Sequence, residues 1–298
     1  METKNYCVIY NPHSQNGLGK EKAVELLKTI DCSEVVDMTT IESYEEFFSS
    51  RQEENILICG GDGTLNRFIN DTASLDLKNH FFYYACGSGN DFLRDIERDA
   101  SEIISIDEYI KDLPVCTIDG KDYKFINGIG FGVDGYCCEV GDKIRAEKPN
   151  TKINYTSIAI KGLLFYYKPT NATVTVDGVQ HKFKKVWIAP TMNGRFYGGG
   201  IMPTPNQNRL NEAKDISVMV FHGTGKLKTL LIFPSLFKGE HVNKEKAISI
   251  FTGKEITVEF DEPRALQVDG ETLLGVTKYS VRSAKAAPVE EKLEEQTI

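Results

Sequence analysis

Five residues, Gly60-Gly61-Asp62-Gly63-Thr64, restrict how this chain can fold more than any others, because of what stands on either side of them. Ile56-Leu57-Ile58-Cys59 has the length and branching of a buried strand, and Leu65, Phe68 and Ile69 then recur at spacings of three and four, as on one helix face. The reading is strand, glycine loop, helix. Glycines let the backbone take positive φ and let a ligand approach the main chain, while a helix N-terminus offers unpaired N–H groups and a positive dipole end. Phosphate suits such a cradle. A carboxylate within it is repelled unless it helps a metal or accepts a proton from an attacking hydroxyl, so Asp62 points to phosphoryl transfer. On these five residues alone, a tight turn in which Asp-Gly serves only its geometry stands as the alternative.

At 298 residues the chain exceeds what one core usually organises, and two domains are expected. The net charge of −8 and the lack of clustered Lys and Arg interleaved with aromatics argue against a nucleic-acid partner. Seven cysteines, an odd number with no C-x-x-C, fit a reduced cytoplasmic protein, and the five histidines show no zinc-ligand spacing. The first residues lack a signal-peptide core and no apolar run is long enough to span a bilayer, so a soluble protein is expected.

In chain order, Cys7 to Tyr10 reads as a strand entering the turn-rich loop Asn11 to Lys20, and Ala23, Leu26, Leu27 and Ile30 follow with helical spacing. The loop is not a Walker A sequence, because no glycine stands five positions before Gly19-Lys20 and Glu21 replaces the hydroxyl residue. A strand at Val35 to Met38, a helix near Tyr44 to Ser50, the central unit and a strand at Phe81 to Tyr84 continue the alternation. That last strand opens into Cys86-Gly87-Ser88-Gly89-Asn90-Asp91. Such alternation predicts a mainly parallel sheet whose carboxyl-end loops converge on one ligand crevice.

The pattern changes near Asp119-Gly120, and strands dominate from there, with hairpin turns at Asp119-Gly120 and Asp177-Gly178. The expected organisation is α/β: a nucleotide-binding domain over 1–119 and an antiparallel β-sandwich over 120–283, with the tail 284–298 packing back on the first domain or fraying. Gly130-Phe131-Gly132-Val133-Asp134-Gly135 matches G-x-G-x-x-G only formally, since it follows a hairpin and no acidic residue stands at the distance a ribose requires. Ile158 to Lys168 reads as a core-packing helix rather than a segment that dips into a membrane.

Taken together, these loops resemble the diacylglycerol kinase catalytic-domain family, soluble lipid kinases that include the sphingosine kinases. The resemblance begins with Asn11-Pro12 and Ser14 and runs through Gly60 to Asn66, then Gly87 to Phe92. It continues at Asn127-Gly128 with Gly130 to Gly132 and at Asn193-Gly194 with Gly198 to Gly200, and closes at Gln267 to Glu271. It implies a nucleotide domain like those of NAD kinases and phosphofructokinases, Mg-ATP as phosphoryl donor, and a lipid acceptor, most simply diacylglycerol, met transiently at a membrane surface. A homodimer is compatible with it. By the same resemblance Asn11, Ser14, Gly60, Gly61, Gly63, Thr64, Gly87, Ser88 and Asn90 line the nucleotide. Asp62 holds magnesium or acts on the hydroxyl, and Glu271, supported by Asp269, is the general base.

There are departures. Arg67 replaces a usual acidic residue, Gln15-Asn16 replaces Ser-Gly, and Asn211-Glu212 replaces Asp-Gly near Asp215, where some relatives bind a structural magnesium. That site is expected to be weak, or replaced by the charge of Lys214. An NAD kinase, a sphingoid-base kinase and a degenerate lipid- or nucleotide-binding regulator are the competing readings.

Overall fold

The structure, a computed structural model, describes residues 5–17, 19–52, 54–87, 90–148, 151 and 153–286. The first part alternates as the sequence pattern predicts: β1 (Asn5–Tyr10), α1 (Ser14–Gly17), α2 (Gly19–Leu26), β2 (Asp31–Asp37), α3 (Tyr44–Ser49), β3 (Asn55–Gly60), α4 (Asp62–Asp71), β4 (His80–Ala85), α5 (Asp91–Asp95), β5 (Ile104–Ser105) and α6 (Asp107–Ile110). Its sheet has the order β2-β1-β3-β4-β5, parallel except for β5. Successive side chains on the central strands enter different cores. Cys7, Ile9, Ile56, Ile58, Phe81 and Tyr83 pack on one face, and Tyr6, Val8, Tyr10, Leu57, Cys59 and Phe82 on the other. A parallel sheet covered on both sides needs such continuous apolar runs.

The second part contains β6 (Val115–Ile118), β7 (Lys121–Lys124), β8 (Gly128–Gly132), α7 (Val133–Glu147), α8 (Tyr155–Lys161) and a π-helical turn at Gly162–Tyr166. It continues through β9 (Thr170–Val176), β10 (Val179–Val186), β11 (Ile188–Met192), β12 (Ile216–Phe221), α9 (Lys226–Ile232), β13 (Ile248–Gly253), β14 (Glu255–Val268) and β15 (Glu271–Arg282). These strands form one antiparallel sheet in which β14 pairs with β8, β9 and β15. Its register shifts between Glu259 and Leu266. Residues before and after the shift bond to different strands, and such bulges bend a strand. The sheet thereby wraps a core that includes Phe131, Val174, Val258, Phe260 and Tyr279.

Two boundaries differ from expectation. β6 pairs with β15 through Thr117↔Ser280, Cys116↔Val281 and Val115↔Arg282, so the change of sheet falls before Val115 and not at 119. The start of the tail reaches the second part, not the first: Lys285 donates its ammonium to the Glu212 carbonyl at 2.7 Å. Residues 287–298 of the tail lie outside the described residues.

Candidate active site

The loops leaving β1, β3 and β4 meet at the N-terminus of α4. Thr64, in the first turn of that helix, accepts from the Asn11 side-chain amide at 2.9 Å and lies 3.1 Å from the Ser14 hydroxyl, so three expected nucleotide residues share one cluster. The glycines follow from crowding. A Cβ on Gly60 would lie 2.4 Å from Thr64, and one on Gly87 would lie 2.6 Å from the Cα of Gly61. The backbone also couples these loops, since Cys86 N–H donates to the Gly60 carbonyl at 2.7 Å. Ser88 lies outside the described residues. Asn90 adopts φ 43° and turns the chain into α5, and its buried Oδ1 has no partner among the described residues.

Asp62 faces this turn. Its carboxylate accepts backbone N–H bonds from Asp91 at 2.7 Å and Phe92 at 3.3 Å, which makes it a cap for the next helix as well as a member of the site. Burial raises its pKa against the lowering effect of those bonds. Asp91, buried beside it, accepts from Gly199 N–H at 2.6 Å and is pushed up to about 7, first by burial and then by the Asp62 charge. The geometry of the loops thus sets two carboxyl groups where only one ionises easily.

The opposite wall comes from the β14–β15 turn. Asp269, at φ 45°, accepts four N–H bonds: Ile126 at 2.6 Å, Asn127 and Gly128 at 2.9 Å each, and the side chain of Asn66 at 2.8 Å. Those four bonds tie the carboxylate to the turn that leads into Glu271. Burial is the leading cause that pushes it up to about 6. Glu271 opens β15 with an exposed side chain, and its Oε1 lies 3.9 Å from where a Cβ on Gly63 would stand. The candidate base and the glycine loop therefore face each other across the domain boundary.

Sequence reasoning passed over other buried carboxylates of the fold. Asp134, inside the formal G-x-G-x-x-G, is buried, accepts from the Tyr197 hydroxyl at 3.1 Å and is pushed up to about 6 by burial. The glycines of that stretch have packing reasons: a Cβ on Gly130 would lie 2.8 Å from the Asp134 carboxylate, and Gly132 has φ 127° with the Trp187 carbonyl 2.4 Å from its Cβ position. Asp95, at the end of α5, is bonded by Arg209 and, at 2.9 Å, by Arg195. Arg209 also donates to the Ile126 carbonyl at 3.2 Å and the Asn127 side chain at 3.1 Å, linking α5 to the segment that Asp269 holds. The distance along the chain hides this cluster from any local pattern.

Asp215 does not suit a structural magnesium. Lys254 places its ammonium 2.9 Å from the Asp215 carboxylate, and Asn211 spends both ends of its amide on the Asp215 backbone, at 2.8 and 3.0 Å. Lys214, the expected cation, turns instead to Asp112 at 3.6 Å. Among the described residues no group of three or more His, Cys, Asp or Glu could hold a metal ion. Arg67 pairs with Asp71 at 3.3 Å on the exposed side of α4.

A parallel-sheet domain whose glycine loops meet at a helix N-terminus, faced by a sandwich that brings the exposed Glu271 carboxylate to them, has the arrangement of a two-domain kinase. The chain belongs to the diacylglycerol kinase catalytic-domain family: residues 5–116 match the diacylglycerol kinase catalytic domain, and residues 127–287 match the YegS C-terminal NAD kinase beta sandwich-like domain. It is 27% identical over 210 residues to a diacylglycerol kinase of Mycobacterium tuberculosis, covering 68% of this chain and 66% of that one. It is 23% identical over 250 residues to a Bacillus subtilis protein provisionally named lipid kinase YtlR, covering 78% of each. A crystal structure from Bacillus anthracis str. Sterne, provisionally named a diacylglycerol kinase, superposes with a TM-score of 0.65 at 21% identity over 94% of this chain and 92% of that one. Family and relatives indicate a kinase.

Proposed function

We propose that the chain is an ATP-dependent lipid kinase that phosphorylates a terminal hydroxyl, most simply converting diacylglycerol to phosphatidic acid. The observation that carries this reading is the exposed Glu271 carboxylate standing beside Gly63, on the loop whose helix N-terminus suits phosphate. The N–H groups at the start of α4, with Asn11, Ser14 and Thr64, hold the nucleotide phosphates, and Asp62 is the residue that would hold a magnesium carried with them, which would supply charge neutralisation on the phosphates. The lipid hydroxyl gives its proton to Glu271 as its oxygen bonds the γ-phosphorus and the β–γ bridging bond breaks, leaving ADP. Asp269 and Asn66 fix the turn that aims Glu271.

An ADP-release assay over diacylglycerol, monoacylglycerol, sphingosine and NAD tests the reading. Diacylglycerol-dependent release that Glu271→Gln lowers about 100- to 10,000-fold is expected. Release with NAD alone, or full lipid turnover by Glu271→Gln, would overturn it.

A further inference from the structure

The run Ile158 to Lys168 divides between two environments. Leu163 and Tyr167 enter a core with Trp187, as a packing helix should, but Phe165 is 69% and Tyr166 68% exposed. Beside them α9 presents Leu227, 74% exposed, and Leu231, 82% exposed. These leucines are four residues apart and share one helix face. The two elements are joined directly, because Lys226 donates its ammonium to the Leu164 carbonyl at 2.9 Å. Large apolar side chains this exposed, on two adjoining elements, mark a contact surface.

Charge indicates what covers it. The chain carries 43 acidic residues and a net charge of −8, yet the segments 148–176 and 216–239, which supply this surface, contain no Asp or Glu. Lys161, Lys168, Lys226 and Lys228 are exposed around the apolar side chains. A second copy of an acidic chain would bring mainly acidic surface to meet an apolar centre. A bilayer offers acyl chains to the leucines and phenylalanine, an interface for tyrosine, and anionic head groups for a ring of lysines.

The position also fits. Helix α7 lies between this surface and the candidate base: Tyr136 packs against Gly162 of the π-helical turn, and Asp142 accepts from the Thr272 hydroxyl, next to Glu271, at 2.7 Å. Packed helix axes stand about 8–10 Å apart, and an interfacial apolar face enters the head-group region by roughly 5–10 Å, so the two lengths are comparable.

We infer that the face formed by the π-helical turn and α9 docks on an anionic lipid bilayer, with Phe165, Tyr166, Leu227 and Leu231 inserted and the lysines on the head groups. The choice of a bilayer rests on the lipid-kinase reading. The test is co-sedimentation with phosphatidylcholine vesicles containing phosphatidylglycerol, for the full chain and for the double variants Leu227→Ser/Leu231→Ser and Phe165→Ser/Tyr166→Ser. Each variant should lower vesicle partitioning at least tenfold, with the melting temperature and the turnover of a water-dispersed short-chain diacylglycerol unchanged. Wild-type protein that does not sediment with vesicles, or variants that partition as wild type, would overturn the inference. So would sedimentation equilibrium showing a wild-type dimer that either variant dissociates, since the face would then belong to a second copy. Vesicle binding that depends on these residues, in a protein inactive on every lipid, would support the docking face and sink only the kinase reading.

Discussion

The side-chain amide of Asn66 donates to the Asp269 carboxylate at 2.8 Å, so the helix that starts at Asp62 is bonded to the turn that leads into Glu271. Asn66 also donates to the Lys124 carbonyl at 3.1 Å, and the Asn66 and Asp269 side chains are buried. Hydrogen bonds to a buried charge are worth about 1.5–3 kcal/mol. Asn66→Ala should therefore lower the unfolding free energy by roughly that amount. It should also reduce turnover while leaving ATP affinity near wild type, because no nucleotide-loop contact is removed. Denaturant unfolding and calorimetric titration with ATP check this, and an unchanged turnover would show that Glu271 is aimed without this bond.

Asp91 gives the protein a pH signature. Its folded pKa of about 7 is above the unfolded value of about 4, so the folded state binds the proton more tightly. The resulting stability is fully present below about pH 4 and is lost as pH rises through about 7. Asp91→Asn keeps an acceptor for Gly199 and cannot ionise. Melting curves between pH 4 and 8 should show wild type losing stability relative to Asp91→Asn as pH rises, and parallel curves would refute the assignment.

The parallel sheet was readable because both-face burial writes itself into short apolar runs such as Ile56 to Cys59, and the glycine loops because close backbone crossings admit no Cβ. Glu271 and Asp269 were not readable from pattern. Asp269-Gly270 resembles the hairpin turns at Asp119 and Asp177, which share its positive φ. What separates it is four donors arriving from residues more than 140 positions away. The division of Ile158 to Lys168 between core and surface was equally hidden, since an apolar run does not state which side chains meet a partner. Lys254 was missed as the partner of Asp215 because β12 and β13 bring them together, not sequence proximity.

Asp62 and Glu271 should separate in stability although both should cost activity. Asp62 caps α5 with two N–H bonds, and an amide at that position opposes at least one of these donors with its own NH2. Asp62→Asn should lower the unfolding free energy by about 1–3 kcal/mol. Glu271→Gln, on an exposed side chain, should stay within about 0.5 kcal/mol of wild type. Thermal and denaturant unfolding of the two variants decides this, and equal stabilities would mean that Asp62 does not cap the helix in solution.

The Lys254–Asp215 pair makes a prediction about magnesium. Magnesium takes oxygen ligands in near-octahedral geometry and is bound through one or two carboxylates with ordered waters. Here the Asp215 carboxylate is neutralised by an ammonium at 2.9 Å, and Asn211 turns its amide to the backbone. A divalent ion would have to displace Lys254 to reach that carboxylate. Millimolar magnesium alone should leave the melting temperature of wild type unchanged. Mg-ATP should raise it, by about 2.7 kcal/mol of added stability at a hundredfold excess over Kd. The ion pair is partly exposed, so removing it should cost only about 0.2–1 kcal/mol. Lys254→Met with Asn211→Asp frees one carboxylate and supplies another, and this double variant should gain a magnesium-dependent rise in melting temperature that wild type lacks. A marked rise in wild type with magnesium alone would show that the ion displaces Lys254 and that Asp215 is a metal ligand.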